Sequence, residues 1–212
     1  ALPNGQAVAL KTDGTVETIS GVSQSVTAAS TFSSTDARAG VDSAVYDTAS
    51  NRVVIAYRDQ GNGSYGTAVV GTVSGSSITF GSPVVFNSGV TYSVTAAYDS
   101  SSNKTVIAFQ NQSNGNGIAY VGTVSGTSIS FGTSVTFNAG TTDDTTLVYD
   151  SINQKSVIVY KDTANASYGT AIVGTVSGTS ISFGTEAVFN STTTADPRPV
   201  YDSVNQKVVI SY

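Results

Sequence analysis

The chain contains no cysteine, histidine, methionine or tryptophan, and only three leucines against 29 valines. Without cysteine there is no disulfide framework and no thiol nucleophile. Without histidine the Ser-His-Asp triad and the commonest metal ligand are both gone. Charge is scarce as well: nine Lys plus Arg and fourteen Asp plus Glu among 212 residues, for a net charge of −5. Nine scattered cations make no basic stripe, so no nucleic acid is expected as a partner. No apolar run approaches the ~20 residues of a membrane helix, so no membrane insertion is expected. The shortage of Leu, Met, Glu and Lys argues against helix. What is abundant is Val, with 32 Ser, 29 Thr and 21 Gly. β-Branched residues suit strands, and an apolar content of 39% suffices for a core.

A repeat dominates the sequence. Val-Gly-Thr-Val-Ser-Gly starts at Val70, Val121 and Val173. Tyr-Asp recurs at Tyr46, Tyr98, Tyr149 and Tyr201, at spacings of 51 or 52 residues. The apolar runs Val53–Tyr57, Val106–Phe109, Val157–Tyr160 and Val208–Tyr212 follow at matching positions. Phe80, Phe131 and Phe183 share one position of the repeat, and Phe86, Phe137 and Phe189 another.

Each unit predicts four strands. Strand a ends at Tyr-Asp in a short turn; examples are Tyr92–Tyr98 and Thr145–Tyr149. Strand b is the apolar run, hydrophobic on both faces as a strand buried inside a sheet must be. Strand c covers Thr67–Val73 or Ala171–Val176, and a Ser-Gly hairpin leads into strand d, Ser77–Phe86. The Gly81-Ser82 step predicts a bulge within strand d. Four short antiparallel strands per ~51 residues fit a β-propeller blade better than a β-solenoid coil, whose repeats are shorter. The expected fold is therefore all-β: a single β-propeller domain over 1–212. Whole blades are expected at 37–87, 88–138 and 139–190, with partial ones at 1–36 (strands c and d) and 191–212 (strands a and b). The hairpin Gln6–Leu10/Thr15–Ile19 and the final strands Pro199–Tyr201 and Lys207–Tyr212 are expected to combine into one composite blade, because joining them would cover two open edges. A ring of four fits, and so does a larger ring with more blades past Tyr212. The start at Ala-Leu-Pro-Asn-Gly and the end inside a strand suggest a processed or partial polypeptide.

Ser74-Gly75-Ser76-Ser77-Ile78-Thr79-Phe80 and its copies at Ser125–Phe131 and Ser177–Phe183 resemble a degenerate Asp-box, the turn motif of sialidase-like propellers. The turn and the aromatic match, but Ser76, Thr127 and Thr179 stand where the Asp would be. The resemblance implies a blade type and no activity. The opening segment Leu2–Val16, with its Asp13-Gly14-Thr15 hairpin, resembles segments of marine bacteriophage tail and other structural proteins.

Candidate site residues lie where the units differ. The b–c loops are expected at Arg58–Tyr65, Gln110–Gly117 and Lys161–Tyr168, and the d–a loops at Asn87–Tyr92, Asn138–Asp144 and Asn190–Arg198. Arg58, Asp59, Tyr65, Tyr92, Asp143, Asp144, Lys161, Asp162, Tyr168, Asp196 and Arg198 supply the charges and rings suited to ligand or receptor binding. The Tyr-Asp pairs, present in every unit, are expected to be structural: Asp caps a turn and Tyr packs between units. Asp143-Asp144 is an adjacent acidic pair of the kind that is usually solvated, and no metal or other cofactor is expected. Four arginines with no evident convergence do not ask for a sialidase-type site, and no enzyme activity is expected. The expected function is a structural or adhesive module of an extracellular or virion assembly, such as a phage tail or fibre. Its expected partners are other subunits or copies, and a cell-surface glycan or receptor. A lectin-type propeller and a glycosidase-like propeller are the alternatives.

Overall fold

The computed structural model describes residues 8–10, 16–18 and 30–212. It is all-β, with antiparallel sheets and no α-helix among the described residues. The first full unit comprises β3 (Ala37–Asp47), β4 (Arg52–Asp59), β5 (Tyr65–Ser74), β6 (Ser77–Phe80) and the start of β7 (Val84–Asp99). It is preceded by β1 (Val8–Leu10) and β2 (Val16–Thr18). The second unit continues along β7 into β8 (Lys104–Asn111), β9 (Gly117–Ser125), β10 (Ser128–Phe131) and β11 (Val135–Asn138). The third holds β12 (Thr142–Asp150), β13 (Lys155–Asp162), β14 (Tyr168–Ser177), β15 (Ser180–Phe183) and β16 (Ala187–Thr193). Then come β17 (Arg198–Asp202) and β18 (Lys207–Ser211).

Each unit is a meander, a to b to c to d, as the repeat predicts. Two details differ. Strand d is two strands rather than one bulged strand, because β6 pairs with the end of β5 and β7 with its start. Moreover, Asn87–Tyr92 is no loop: β7 runs unbroken from its pairing with β5 to its pairing with β8, so the expected 87/88 boundary falls inside a strand. The first two units thereby form one nine-stranded sheet, and the third a separate five-stranded sheet. The two end hairpins do not join: β1 pairs with β2 and β17 with β18, and no ladder links the two among the described residues. The Asp13-Gly14 turn lies outside the described residues.

Strand b carries the core. On β8, Val106 and Ala108 face one cluster with Phe137, Leu147 and Tyr160. Ile107 and Phe109 face the other, with Phe86, Val94 and Ile129. Side chains alternate across a strand, so the two-sided apolar pattern becomes two cores, one on each side of the second unit. An aromatic relay connects the units. Phe32 contacts Tyr57 and Phe80, Phe86 contacts Phe109 and Phe131, and Phe137 contacts Tyr160 and Phe183, with centroids 5.1–6.1 Å apart. Phe189 continues the series onto Tyr212. Phe32 thus occupies the strand-d position of a preceding unit.

Glycines set how closely the units approach. A Cβ on Gly81 would lie 1.9 Å from the Thr127 carbonyl oxygen of the next unit, and one on Gly132 would lie 1.8 Å from that of Thr179. At Gly184 the nearest atom is Val173 O at 3.8 Å. Gly81→Ala is therefore expected to cost about 2 kcal/mol or more through forced separation of the units. Gly184→Ala should stay within about 0.5 kcal/mol. Urea unfolding of the two variants checks this, and equal effects would contradict it.

Candidate functional site

The Tyr-Asp pairs are structural, as expected. Asp47 accepts from the N–H groups of Ala49 and Ser50, Asp99 from those of Ser101 and Ser102, Asp150 from those of Ile152 and Asn153, and Asp202 from those of Val204 and Asn205. These are Asx-type turns. The Tyr98 hydroxyl donates to Asn103 in its own unit and accepts from the Ala49 N–H of the preceding one. The Tyr149 hydroxyl likewise accepts from Ser101 N–H. These tyrosines fasten the head of one strand pair to the turn of its neighbour.

The opposite end of strand a is irregular in every unit. The β3–β4, β7–β8 and β12–β13 ladders all slip there, between Ala39 and Ala44, Tyr92 and Thr95, and Asp143 and Thr146. At each slip one residue takes left-handed backbone: Asp42 (φ 52°), Ser93 (φ 48°) and Asp144 (φ 49°). Asp196 (φ 48°) holds the same position ahead of β17. Bulges re-aim side chains. Here they line two recesses that share Gly40 and Ser93. One, of about 200 Å³, is bounded by Arg38, Arg58, Thr91, Tyr92 and Val94. The other, of about 170 Å³, is bounded by Asp144, Thr145, Asp196 and Arg198. Gly40 is required for this approach, since a Cβ there would meet Val94 O at 1.8 Å.

Cross-strand register decides the chemistry of the cleft. Arg58, Gln110 and Lys161 hold equivalent places on strand b, and the residue opposite differs in each unit: Arg38 faces Arg58, Tyr92 faces Gln110 and Asp143 faces Lys161. The third unit is internally neutralised: Lys161 Nζ lies 3.1 Å from Asp144 and 3.6 Å from Asp143. Burial works against the Lys161 ammonium, but the two carboxylates outweigh it and hold its pKa above the ordinary lysine value. Arg198 pairs with Asp196 at 3.2 Å, and the Asp196 N–H points at Asp144 from 3.5 Å. In the first unit the Arg58 guanidinium sits 4.4 Å above the Tyr92 ring.

Of the candidate residues, Arg58, Tyr92, Asp144, Asp196 and Arg198 line the cleft, and Asp143 and Lys161 adjoin it through ion pairs. Arg58, Asp59, Lys161 and Asp162 lie within strands and not in loops. Asp59 and Asp162 are buried and already partnered: Asp59 accepts from Thr35 Oγ1 at 2.6 Å across to the segment before β3, and Asp162 accepts from the Asn165 N–H of its own turn at 3.2 Å. Tyr65 and Tyr168 open β5 and β14 and line neither recess. Arg38, Gly40 and Ser93 escaped the sequence reading. The register that puts Arg38 opposite Arg58 depends on a slip whose length differs between units.

No protein-family model, curated protein or solved structure matches this chain.

Proposed function

We propose that the chain is of β-propeller type and acts as a non-enzymatic interaction module of an extracellular or virion-surface assembly, of the phage tail or fibre kind. The supporting observation is the unequal cleft. Three bulges and the left-handed Asp196 that matches them meet at one end of a repeated scaffold, and the side chains around them differ from unit to unit. Side-chain rows that merely served folding would repeat, as the Asp turns and the aromatic relay do. The propeller reading draws support from the four-stranded meanders and from the packing of strand a against its counterpart in the next unit at Gly40. Binding through one shallow cleft per chain is weak alone and becomes strong when many copies are presented together.

The exposed Tyr92 ring, backed by Arg58, favours carbohydrate as the ligand class, since an aromatic face and hydrogen-bonding groups suit a sugar. Because the rows are unequal, one glycan per chain is expected rather than one per unit. Glycoside hydrolysis would require two carboxyls in separate acid and base or nucleophile roles. Asp144 and Asp196, the two carboxyls that line one recess, are each bound to a cation of their own.

The test combines the intact mass and assembly state of the native protein with a glycan array read as monomer and as multimer. A large assembly, together with glycan signal that rises steeply on multimerisation, is expected. A free monomer that binds nothing in either form overturns the reading, and turnover of a bound glycan overturns the non-enzymatic part.

A further inference from the structure

We infer that Arg38, Arg58 and Tyr92 form a binding site for an oxyanion carried on a glycan, either a sulfate ester or a carboxylate. The argument begins with a cost. Arg38 and Arg58 are direct cross-strand partners on β3 and β4, so both guanidinium stems leave the same face of the sheet. Like charges directly opposite each other destabilise a strand pair. The third unit places Asp143 opposite Lys161, the counterpart of Arg58, and avoids the conflict, and the second places Tyr92 opposite the counterpart Gln110. Only the first unit has two cations there.

No described residue neutralises them. Among the described residues neither guanidinium forms an ion pair. Arg38 donates its Nε to Gln60 Oε1 at 2.9 Å, a neutral partner that fixes the side chain and leaves its charge uncancelled. Asp59, the acid next in sequence, is held by Thr35 and alternates to the other face of β4. Arg58 is only 7% exposed, and the Tyr92 ring is its one aromatic support. A buried arginine normally meets a carboxylate or phosphate. Here its open neighbour is the recess of about 200 Å³ that it shares with Arg38, Thr91, Tyr92 and Ser93. Two guanidinium forks beside such a space match an oxyanion's oxygens through charge-assisted hydrogen bonds. Tyr92, 40% exposed, offers its outer face to the ring that carries the anion.

The oxyanion site stands on this geometry alone. Its assignment to a glycan rests on the proposed interaction role, and the experiment separates the two. Wild type, Arg58→Gln, Arg38→Gln and the control Lys104→Gln are melted in sodium sulfate and in sodium chloride of equal ionic strength. They are then titrated with a sulfated galactan oligosaccharide and with an oligouronate. Gln suits the Arg58 position because Gln110 occupies it in the second unit. Lys104, at the turn end of β8, removes one positive charge away from the cleft. Wild type and the Lys104 variant should gain on the order of 4 °C more from sulfate than the two arginine variants at ten times Kd. They should also bind one of the two oligosaccharides at least tenfold more tightly, and which one identifies the oxyanion. Equal sulfate stabilisation in all four proteins reflects general salt exclusion and overturns the site. Glycan binding that survives Arg58→Gln also overturns it while leaving the interaction role in place. Sulfate binding that depends on the arginines, with neither glycan bound, keeps the oxyanion site and removes the glycan assignment.

Discussion

Phe109→Ala is expected to lower stability by about 3–5 kcal/mol, the largest single effect in the molecule. Phe109 is fully buried on β8, 5.4 Å from Phe86 and stacked within 5° of the Tyr120 ring plane at 6.1 Å. Truncation removes the ring's transfer energy and opens a void between the first and second units. Neighbours held by strand pairing on both sides cannot collapse into it. Phe189→Ala provides the comparison. Phe189 holds the strand-d position of the relay in the third unit, is half-buried, and contacts only Tyr212 among the rings. Its loss should cost about 1–2 kcal/mol, since the deleted area was partly wet already. Urea denaturation with a common m-value checks both. Similar costs for the two would mean that the relay does not bind the units together.

Acid should unfold the protein through its turns. Burial opposes ionisation of Asp99, but the donors of Ser101, Tyr149 and Ser102 outweigh it and hold the carboxyl below its ordinary pKa. At Asp150 burial is likewise outweighed, there by Asn153, Tyr201 and Ile152. At Asp202 the Asn205 side chain is the main cause of a lowered value. Each group binds a proton more readily in the unfolded chain, so its contribution is complete above the unfolded pKa of about 4. It is lost as pH falls through the depressed folded values. Stability should therefore be level from pH 7 to 5 and fall below about pH 4. Asp99 is 2% exposed, and Asp99→Ala should cost about 2–3 kcal/mol at pH 7 by leaving the Ser102 N–H without its acceptor and the Ser101 N–H with only the Tyr149 hydroxyl. The same variant should lose part of the acid limb. An acid limb as steep as the wild type's would show that the Asp99 turn is not among its sources.

Much of this was legible in the sequence, because it depends on contacts within a few residues. Asp47, Asp99, Asp150 and Asp202 bond backbone two and three residues on, so Tyr-Asp before a polar run was enough to place the turns. The Gly75, Gly126 and Gly178 hairpins were legible for the same reason: φ near +60° is a demand that glycine meets without strain. Alternation along Val106–Phe109 announced a strand covered on both faces. The candidate cleft was legible in part. Arg58, Tyr92, Asp144, Asp196 and Arg198 stood out as departures from the repeat, and the structure gathers them around two adjoining recesses.

By itself, then, the sequence determined an all-β chain of four-stranded antiparallel units, with their turns and the faces they bury. Only the tertiary structure decided which side chains meet. Register slips of different length put Arg38 opposite Arg58, and the close approach at Gly40 brings Ser93 beside both recesses. Strand pairing turned the expected bulge at Gly81 into a break, because β6 pairs with the end of β5 and β7 with its start. Strand pairing carried β7 straight through what composition marks as a loop. Cross-strand and inter-unit distances are set by pairing between residues tens of positions apart, and a local pattern carries no record of them.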